Sequence, residues 1–304
     1  MPQQTWLITG SSSGLGATLA ETVLRSGHRV LATARNPTKA AIEYPQISEL
    51  GGIWIELDVT STDTSERVTE AIQTHFNGII DVVVNNAAYS LLGSIEDMSE
   101  EEIQMQFSTN VFGPVRVLKG VLPFMRKKRS GTVVNVGSIA GIDGLPCCAM
   151  YAGSKFALEG VFFFLHVLDP LSKAICRMSE SLSKELKPFN IRVLIVEPGQ
   201  FRTKFLSSFA TPAAGLRDDY TGTPVDVTLQ AFKAHDGTQQ GDPAKAALRI
   251  LEVVTGTGMG AGKEDLQRLI LGPDCFARFQ SKANLLLENL DRMKEISHST
   301  SFER

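Results

Sequence analysis

Short apolar runs alternate along this chain with stretches in which apolar positions recur every three or four residues. The runs fall at 5–9, 29–34, 53–58, 80–85, 132–136, 191–196 and 268–271. The early ones are continuously apolar rather than alternating, the pattern of strands covered by helices on both faces. Helical periodicity fills the gaps over 14–26, 64–76, 100–126, 151–186, 243–254 and 276–296. This order predicts one α/β domain over 1–304, a doubly wound parallel sheet of about seven strands with helices on both sides. A last helix and tail occupy 276–304. Residues 204–241 break the rhythm, with Pro212, Gly215, Gly222, Pro224 and Gly237. The stretch is long for a routine connection and follows the sixth strand, at the edge where such sheets bind ligands. It reads as a substrate-covering segment, with an ordinary surface insertion as the alternative.

Composition narrows the class. With 43% hydrophobic and 21% charged residues in 304, the chain has the make-up of a globular protein that can bury a large core. A net charge of −3 offers no basic field for nucleic acid. The four cysteines, Cys147, Cys148, Cys176 and Cys275, form no metal-binding spacing, so no metal is expected. They read as free thiols of a reducing compartment. The opening MPQQTWLITG has no signal-peptide pattern. The most apolar run, 161–168, falls short of the ~20 residues that span a bilayer. The expectation is a cytoplasmic protein without a transmembrane segment.

Two local patterns carry chemistry. The first strand runs into Thr9-Gly10-Ser11-Ser12-Ser13-Gly14-Leu15-Gly16, and a helix follows. Glycines there permit a tight reversal, and the helix N-terminus favours a pyrophosphate, the Rossmann-type arrangement. The second strand ends at Arg35, where NAD-binding sheets carry an acid for the ribose 2′-hydroxyl. An arginine suits a 2′-phosphate instead, so NADP(H) is the expected cofactor; a solvated charge is the alternative. Asp58, closing the third strand, reads either as an acceptor for the adenine amino group or as a turn cap over residues 60–64. The second pattern is Tyr151-Ala152-Gly153-Ser154-Lys155, which puts tyrosine and lysine on one helix face. A free phenol ionises near pH 10, too high for a base at neutral pH, and a nearby ammonium favours the phenolate. Ser138, at the end of the fifth strand, could bind a substrate oxygen beside Tyr151.

Taken in order, Thr9-Gly10-x-x-x-Gly14-x-Gly16, Asp58-Val59-Thr60, Asn85-Asn86-Ala87, Asn110, Ser138, Tyr151-x-x-x-Lys155 and Pro198-Gly199-x-x-x-Thr203 resemble the short-chain dehydrogenase/reductase family along nearly the whole chain. The resemblance implies Ser138, Tyr151 and Lys155 as the catalytic set. It puts Asn110 beside a proton-relay water near Lys155. It implies cofactor contacts from Gly10, Ser11, Ser13, Gly14, Leu15, Gly16, Arg35, Asp58, Asn86, Tyr151 and Lys155, and from Pro198, Gly199 and Thr203 against the nicotinamide. Lys119 matches a position sometimes counted with them, and a solvated helix lysine explains it as well. Leu271-Gly272-Pro273-Asp274 and the ending after it resemble the branch of steroid and retinol dehydrogenases. Fungal members of that branch often act on secondary metabolites. The implied function is an NADP(H)-dependent oxidoreductase interconverting a ketone or aldehyde and an alcohol. Phe205, Leu206, Phe209, Leu216 and Phe232 suit a medium-sized hydrophobic small molecule. The competing reading is a catalytically silent NADP-binding regulator. A dehydratase or epimerase is a smaller third possibility.

Two departures from the family pattern stand out. Ala88 replaces a usual glycine, which would cost about 1 kcal/mol if the backbone there were left-handed; it is expected to be tolerated. The larger departure is an insertion at 161–178 in the helix after Tyr151. The flanks, Phe156-Ala157-Leu158-Glu159-Gly160 and Ser179-Glu180-Ser181-Leu182, join in the family's manner once it is removed. Asp169-Pro170 would break a helix running through it, at ~3 kcal/mol. Three accounts compete: a substrate- or membrane-facing element, a benign excursion, or intron sequence carried into the reading frame, which cDNA across codons 150–190 would decide. His166 within it has no partner cluster to make it a ligand or base. Because this helix also packs between subunits in the family, the insertion puts a homodimer or homotetramer in question.

Overall fold

Every strand of the sheet is flanked by parallel neighbours, and the side chains leaving it alternate between two helical layers. In the computed structural model, which describes residues 2–159 and 178–302, the chain runs β1 (Thr5–Ile8), α1 (Gly14–Arg25), β2 (Arg29–Ala34), α2 (Pro37–Glu43), α3 (Pro45–Glu49), β3 (Ile53–Glu56), α4 (Thr64–Phe76) and β4 (Val82–Asn85). It continues through α5 (Glu100–Phe107), α6 (Gly113–Lys128), β5 (Gly131–Val136), α7 (Ala149–Glu159), α8 (Met178–Leu186) and β6 (Ile191–Pro198). The last elements are α9 (Phe205–Ser208), α10 (Pro224–Ala234), α11 (Pro243–Thr255), β7 (Arg268–Leu271) and α12 (Pro273–His298). The 7-stranded sheet has the order β3-β2-β1-β4-β5-β6-β7, with parallel pairing throughout.

The alternation of strand side chains builds two cores. Trp6, Ile8, Val82, Val84, Leu194 and Val196 meet Leu19 and Val23 of α1 and Ile250 and Val254 of α11. Leu7, Val83, Val133 and Val193, one residue out of phase, meet Ile72 of α4, Val117 and Val121 of α6 and Leu186 of α8. Continuous apolar strands therefore satisfy two layers at once. Strand order reverses between β1 and β4, so the carboxyl ends of these two strands open a crevice.

Three expectations are refined. The predicted helix over 100–126 is two helices joined at Ser108–Phe112 by a wider π-helical turn that carries Asn110. The stretch 204–241 is not simply loop: it holds α9 and α10, the latter started by Pro224 in its first turn, where proline's fixed φ and missing N–H cost nothing. Helices α2 and α3 were not anticipated; each begins on a proline, Pro37 and Pro45. The insertion at 161–178, with His166 and Cys176, lies outside the described residues except for Met178. Ala88 is not left-handed, so its methyl carries no backbone cost. Among the described residues no helix is long and apolar enough to cross a membrane. Nor does any group of His, Cys, Asp or Glu among them stand close enough to hold a metal ion.

Candidate active site

The crevice is built first by the turn after β1. Thr9 Oγ1 accepts the amides of Asn86 and Ala87, both at 3.0 Å, locking this turn to the one after β4. Asn86 Nδ2 donates back to the carbonyls of Thr9 and Gly10 at 2.9 and 3.1 Å. A Cβ on Gly16 would lie 2.3 Å from Asn86 Nδ2, so only glycine lets α1 approach this closely. Gly14 has φ +54°, and a Cβ there would sit 3.4 Å from Thr203 Cβ. The turn thus faces the segment after β6 across the crevice. Ser13 occupies the N-cap of α1 without a side-chain capping bond, and no acid lies in the first turn. The leading N–H groups of α1 are therefore left to an anion.

Other expected cofactor residues fall unevenly around this turn. Leu15 packs at the margin of the core beneath it. Ser11 is buried, its hydroxyl turned inward onto the Ile8 carbonyl at 2.9 Å, so only its backbone is left to the crevice. Arg35, just past β2, is exposed and makes no ion pair or hydrogen bond among the described residues. Asp58 Oδ1 accepts from the amide and hydroxyl of Thr60 at 2.8 and 2.7 Å. It is thus a turn residue in fact, with Oδ2 left over. Lys119 stands apart: it is exposed on the outer side of α6, in a groove with Val115, Leu122, Met178 and Leu182. Its position one turn along α6 points it away from the sheet, so the structure does not bring it to the others.

The residues expected to be catalytic lie at the carboxyl edges of β5 and β6. Lys155 is 3% exposed, and its Nζ donates to the Val136 carbonyl at 2.8 Å. That carbonyl ends β5, two residues before Ser138, which caps the short 3₁₀ turn Ile139–Gly141 by accepting the Ala140 amide at 3.1 Å. Tyr151, also buried, shares the α7 face with Lys155 and meets the Phe205 ring at a centroid distance of 5.7 Å. Asn110 is fully engaged: Oδ1 accepts the Tyr89 amide at 2.8 Å, and Nδ2 donates to the Tyr89 carbonyl at 2.9 Å and to Ser154 Oγ at 3.0 Å. Ser154 Oγ in turn donates to the Tyr151 carbonyl at 2.8 Å. One polar chain therefore runs from the π-helical turn to the helix that carries tyrosine and lysine.

A dinucleotide crevice meeting a buried Tyr/Lys helix coincides with the family comparison. The family model described as "short chain dehydrogenase" matches residues 4–166. The chain belongs to the short-chain dehydrogenase family. Oxidoreductase claN of Passalora fulva is 42% identical over 227 residues, 74% of this chain and 94% of that protein. The 3-ketodihydrosphingosine reductase of Bacteroides thetaiotaomicron is 32% identical over 294 residues, 95% and 96% of the two chains. The crystal structure of a short-chain dehydrogenase from Streptomyces avermitilis superposes with a TM-score of 0.82 at 32% identity, over 99% of this chain and all of that one. This short-chain dehydrogenase is thus an oxidoreductase of alcohols and carbonyls with a nicotinamide-binding fold.

Its substrate side includes residues that sequence reasoning passed over. Gln106 is wholly buried; its Oε1 accepts the Leu91 amide at 2.8 Å and its Nε2 donates to the Tyr89 carbonyl at 2.5 Å. It lies one helical turn before Asn110, and its role shows only in its partners at 89–91. Together the two amides hold 89–91 extended, and Leu91 forms a parallel bridge with Ala210. Glu102 completes a capping box with Ser99 and also accepts the Ala213 amide at 2.8 Å. Arg217 pairs with Asp97 at 2.8 Å and Glu96 at 3.2 Å. Asp97 is held below the usual carboxylate range, first by the Ser94 hydroxyl and then by Arg217 against the cost of burial. Asp274 Oδ2 accepts the Gln200 amide at 2.8 Å, fixing the segment after Pro198 and Gly199. Around Tyr151 the packing is apolar: Leu92, Cys147, Cys148 and Leu229 form one buried cluster with it, and Phe209 and Phe232 pack against that cluster.

Proposed function

We propose that this protein is an NADP(H)-dependent reductase or dehydrogenase of a medium-sized hydrophobic ketone or alcohol, with Tyr151 as its acid/base. The observation that carries the reading is the buried Lys155 ammonium, anchored on the Val136 carbonyl one helical turn from Tyr151, with Ser138 at the same strand end. The uncapped α1 N-terminus fits a pyrophosphate, and Arg35, unpaired among the described residues, fits a 2′-phosphate. Nicotinamide, when bound, supplies or accepts the hydride. Tyr151 Oη gives the proton to the substrate oxygen in reduction and removes it in oxidation. The Lys155 ammonium stabilises the phenolate that results, and Ser138 Oγ steadies the substrate oxygen. Asn110 has both side-chain ends occupied, so a relay water beside Lys155 would take the Asn110 main-chain carbonyl. The apolar surroundings of Tyr151, with Leu92, Phe209 and Leu229, support hydrophobic substrates of the kind found in secondary metabolism.

NADPH-linked turnover over a panel of hydrophobic ketones and aldehydes tests the reading. Tyr151→Phe is expected to lose turnover by about 10²–10⁴-fold while still binding NADPH. Near-wild-type turnover of that variant would overturn the mechanism. Tight NADPH binding with no turnover on any carbonyl would instead favour the silent regulator, which no observation on the site supports.

A further inference from the structure

The site contains a pair of nucleophilic groups that the proposed hydride chemistry does not use. Cys147 and Cys148 are consecutive, each 4% exposed, with their sulfur atoms 3.8 Å apart. Both belong to the apolar cluster packed around Tyr151. Cys147 is left-handed, with φ +63°. A residue other than glycine, asparagine or aspartate seldom adopts that conformation, and it persists where the surroundings enforce it. Here two main-chain bonds do so: the Cys147 carbonyl accepts the Gly93 amide at 2.9 Å, and the Cys148 carbonyl accepts the Ala152 amide at 2.7 Å. The pair is thus held between the segment at Gly93 and the first turn of α7, in the same cluster as Tyr151.

The two thiols are not equivalent. The hydrogen bond shared with Cys147, in which either thiol can donate, favours ionised Cys148, and the Arg278 guanidinium adds to this against the cost of burial. Arg278 is itself held by Asp143 Oδ2 at 2.8 Å. Cys147 is pushed the other way, by the same hydrogen bond and by burial. Cys148, on the side of Arg278, is written as the attacking sulfur and Cys147 as the resolving one; the disulfide is the same product if they exchange roles.

We propose that Cys147 and Cys148 form a redox modification site beside Tyr151, closed by a hydroperoxide to a disulfide between neighbours and opened by a thiol reductant. The Cys148 thiolate attacks the peroxide O–O bond; one oxygen becomes bound to sulfur and the other leaves as hydroxide, which takes up the thiol proton as water. Cys147 sulfur then attacks the sulfenyl sulfur, the S–S bond forms, and the hydroxyl leaves with the Cys147 proton as a second water. Two thiols and one hydrogen peroxide give one disulfide and two waters. Consecutive Cα atoms are about 3.8 Å apart, closer than the 4.4–6.8 Å usual for a disulfide, so the bond is strained and readily reduced. Drawing the sulfurs from 3.8 Å to bonding distance must shift the peptide between the two cysteines, whose carbonyl Gly93 holds, and with it the next peptide, whose carbonyl Ala152 holds. The shift reaches Tyr151 through Ala152.

The test uses the whole reduced protein, treated with graded hydrogen peroxide after the reductant is removed. Intact mass is expected to fall by two hydrogens, peptide mapping to place the bond between Cys147 and Cys148, and dithiothreitol to reverse both. Only the accompanying loss of turnover rests on Tyr151 as acid/base. That loss should be about tenfold or more, since displacing a reacting group by ~1 Å can cost about 100-fold, and it should recover with the reductant. Cys148→Ser should form no such bond and keep its own untreated rate under peroxide. Wild-type mass unchanged by peroxide, or oxygen added to one thiol without a cross-link, would overturn the proposal whatever the substrate. A disulfide formed in a protein that turns over nothing would leave this site standing and sink the catalytic reading instead.

Discussion

At the scale of single residues, the side chains sort by whether their polar atoms are already engaged. Ser11, Asn86 and Asn110 matched family positions, yet their side-chain bonds go to Ile8, to Thr9 and Gly10, and to Tyr89 and Ser154. They shape the crevice. Arg35 is the opposite case, an exposed guanidinium with no partner among the described residues. Charge-assisted hydrogen bonds are worth about 1.5–3 kcal/mol. Arg35→Ala is therefore expected to raise the KM for NADPH by roughly tenfold to a hundredfold and to leave that for NADH nearly unchanged. Equal efficiency with both cofactors before and after the substitution would remove the NADP preference. That Tyr151 and Lys155 share one helix face, and that Arg35 follows the second strand, could be read from spacing and the strand pattern. Gln106 could not be read in this way, since a buried glutamine among helix polar residues looks like any solvated one until its partners at 89–91 are folded onto it.

At the scale of elements, the joint between α7 and α8 says most. Ser179 Oγ donates to the Leu158 carbonyl at 2.6 Å. Were Gly160 followed directly by Met178, those residues would stand at i and i+4, the usual geometry for a serine bonding back within one helix. Ser179 also accepts from Asn135 Nδ2 at 2.9 Å, and Asn135 Oδ1 accepts from Asn85 Nδ2 at 2.8 Å. A buried polar chain thus ties β4 and β5 to the meeting point of the helices. Glu180, one residue on, pairs with Arg268 at 2.9 Å, and Arg268 also pairs with the wholly buried Glu197. Burial pushes the Glu197 carboxyl up, opposed by Arg268. All of this is met without residues 161–177. A chain lacking them is expected to fold, with a Tm no lower than that of the full chain and with turnover equal or greater. Aggregation or loss of NADPH binding on deletion would show the segment to be a required part of the protein.

For the whole molecule, the ties across the sheet set the pH response. Asp81 joins β1, β4 and α6: its Oδ2 accepts the Thr5 amide at 2.8 Å and the Thr5 hydroxyl at 2.9 Å, and its Oδ1 pairs with Lys128. Burial pushes its carboxyl up, but Lys128 and Thr5 together outweigh that and hold it below the usual range. With a folded value below the unfolded one, the tie contributes stability above the unfolded value and loses it as pH falls through the interval between them. Asp81→Asn is expected to lower Tm at neutral pH and to flatten the acid limb of a Tm-against-pH series. An acid limb as steep as wild type would place that dependence elsewhere. The strand and helix order, the parallel sheet and the Tyr151/Lys155 pair were determined by the sequence itself. Apolar periodicity and residue chemistry are local, and a continuous run such as residues 82–84 has few other ways to be buried. The tertiary structure alone decided which polar groups are engaged, that Lys119 faces outward and that 204–241 contains α9 and α10. It also decided that two adjacent cysteines share a cluster with Tyr151 and that Leu158 meets Ser179. Those are contacts between segments distant in the chain, and their geometry exists only once both cores have closed around the sheet.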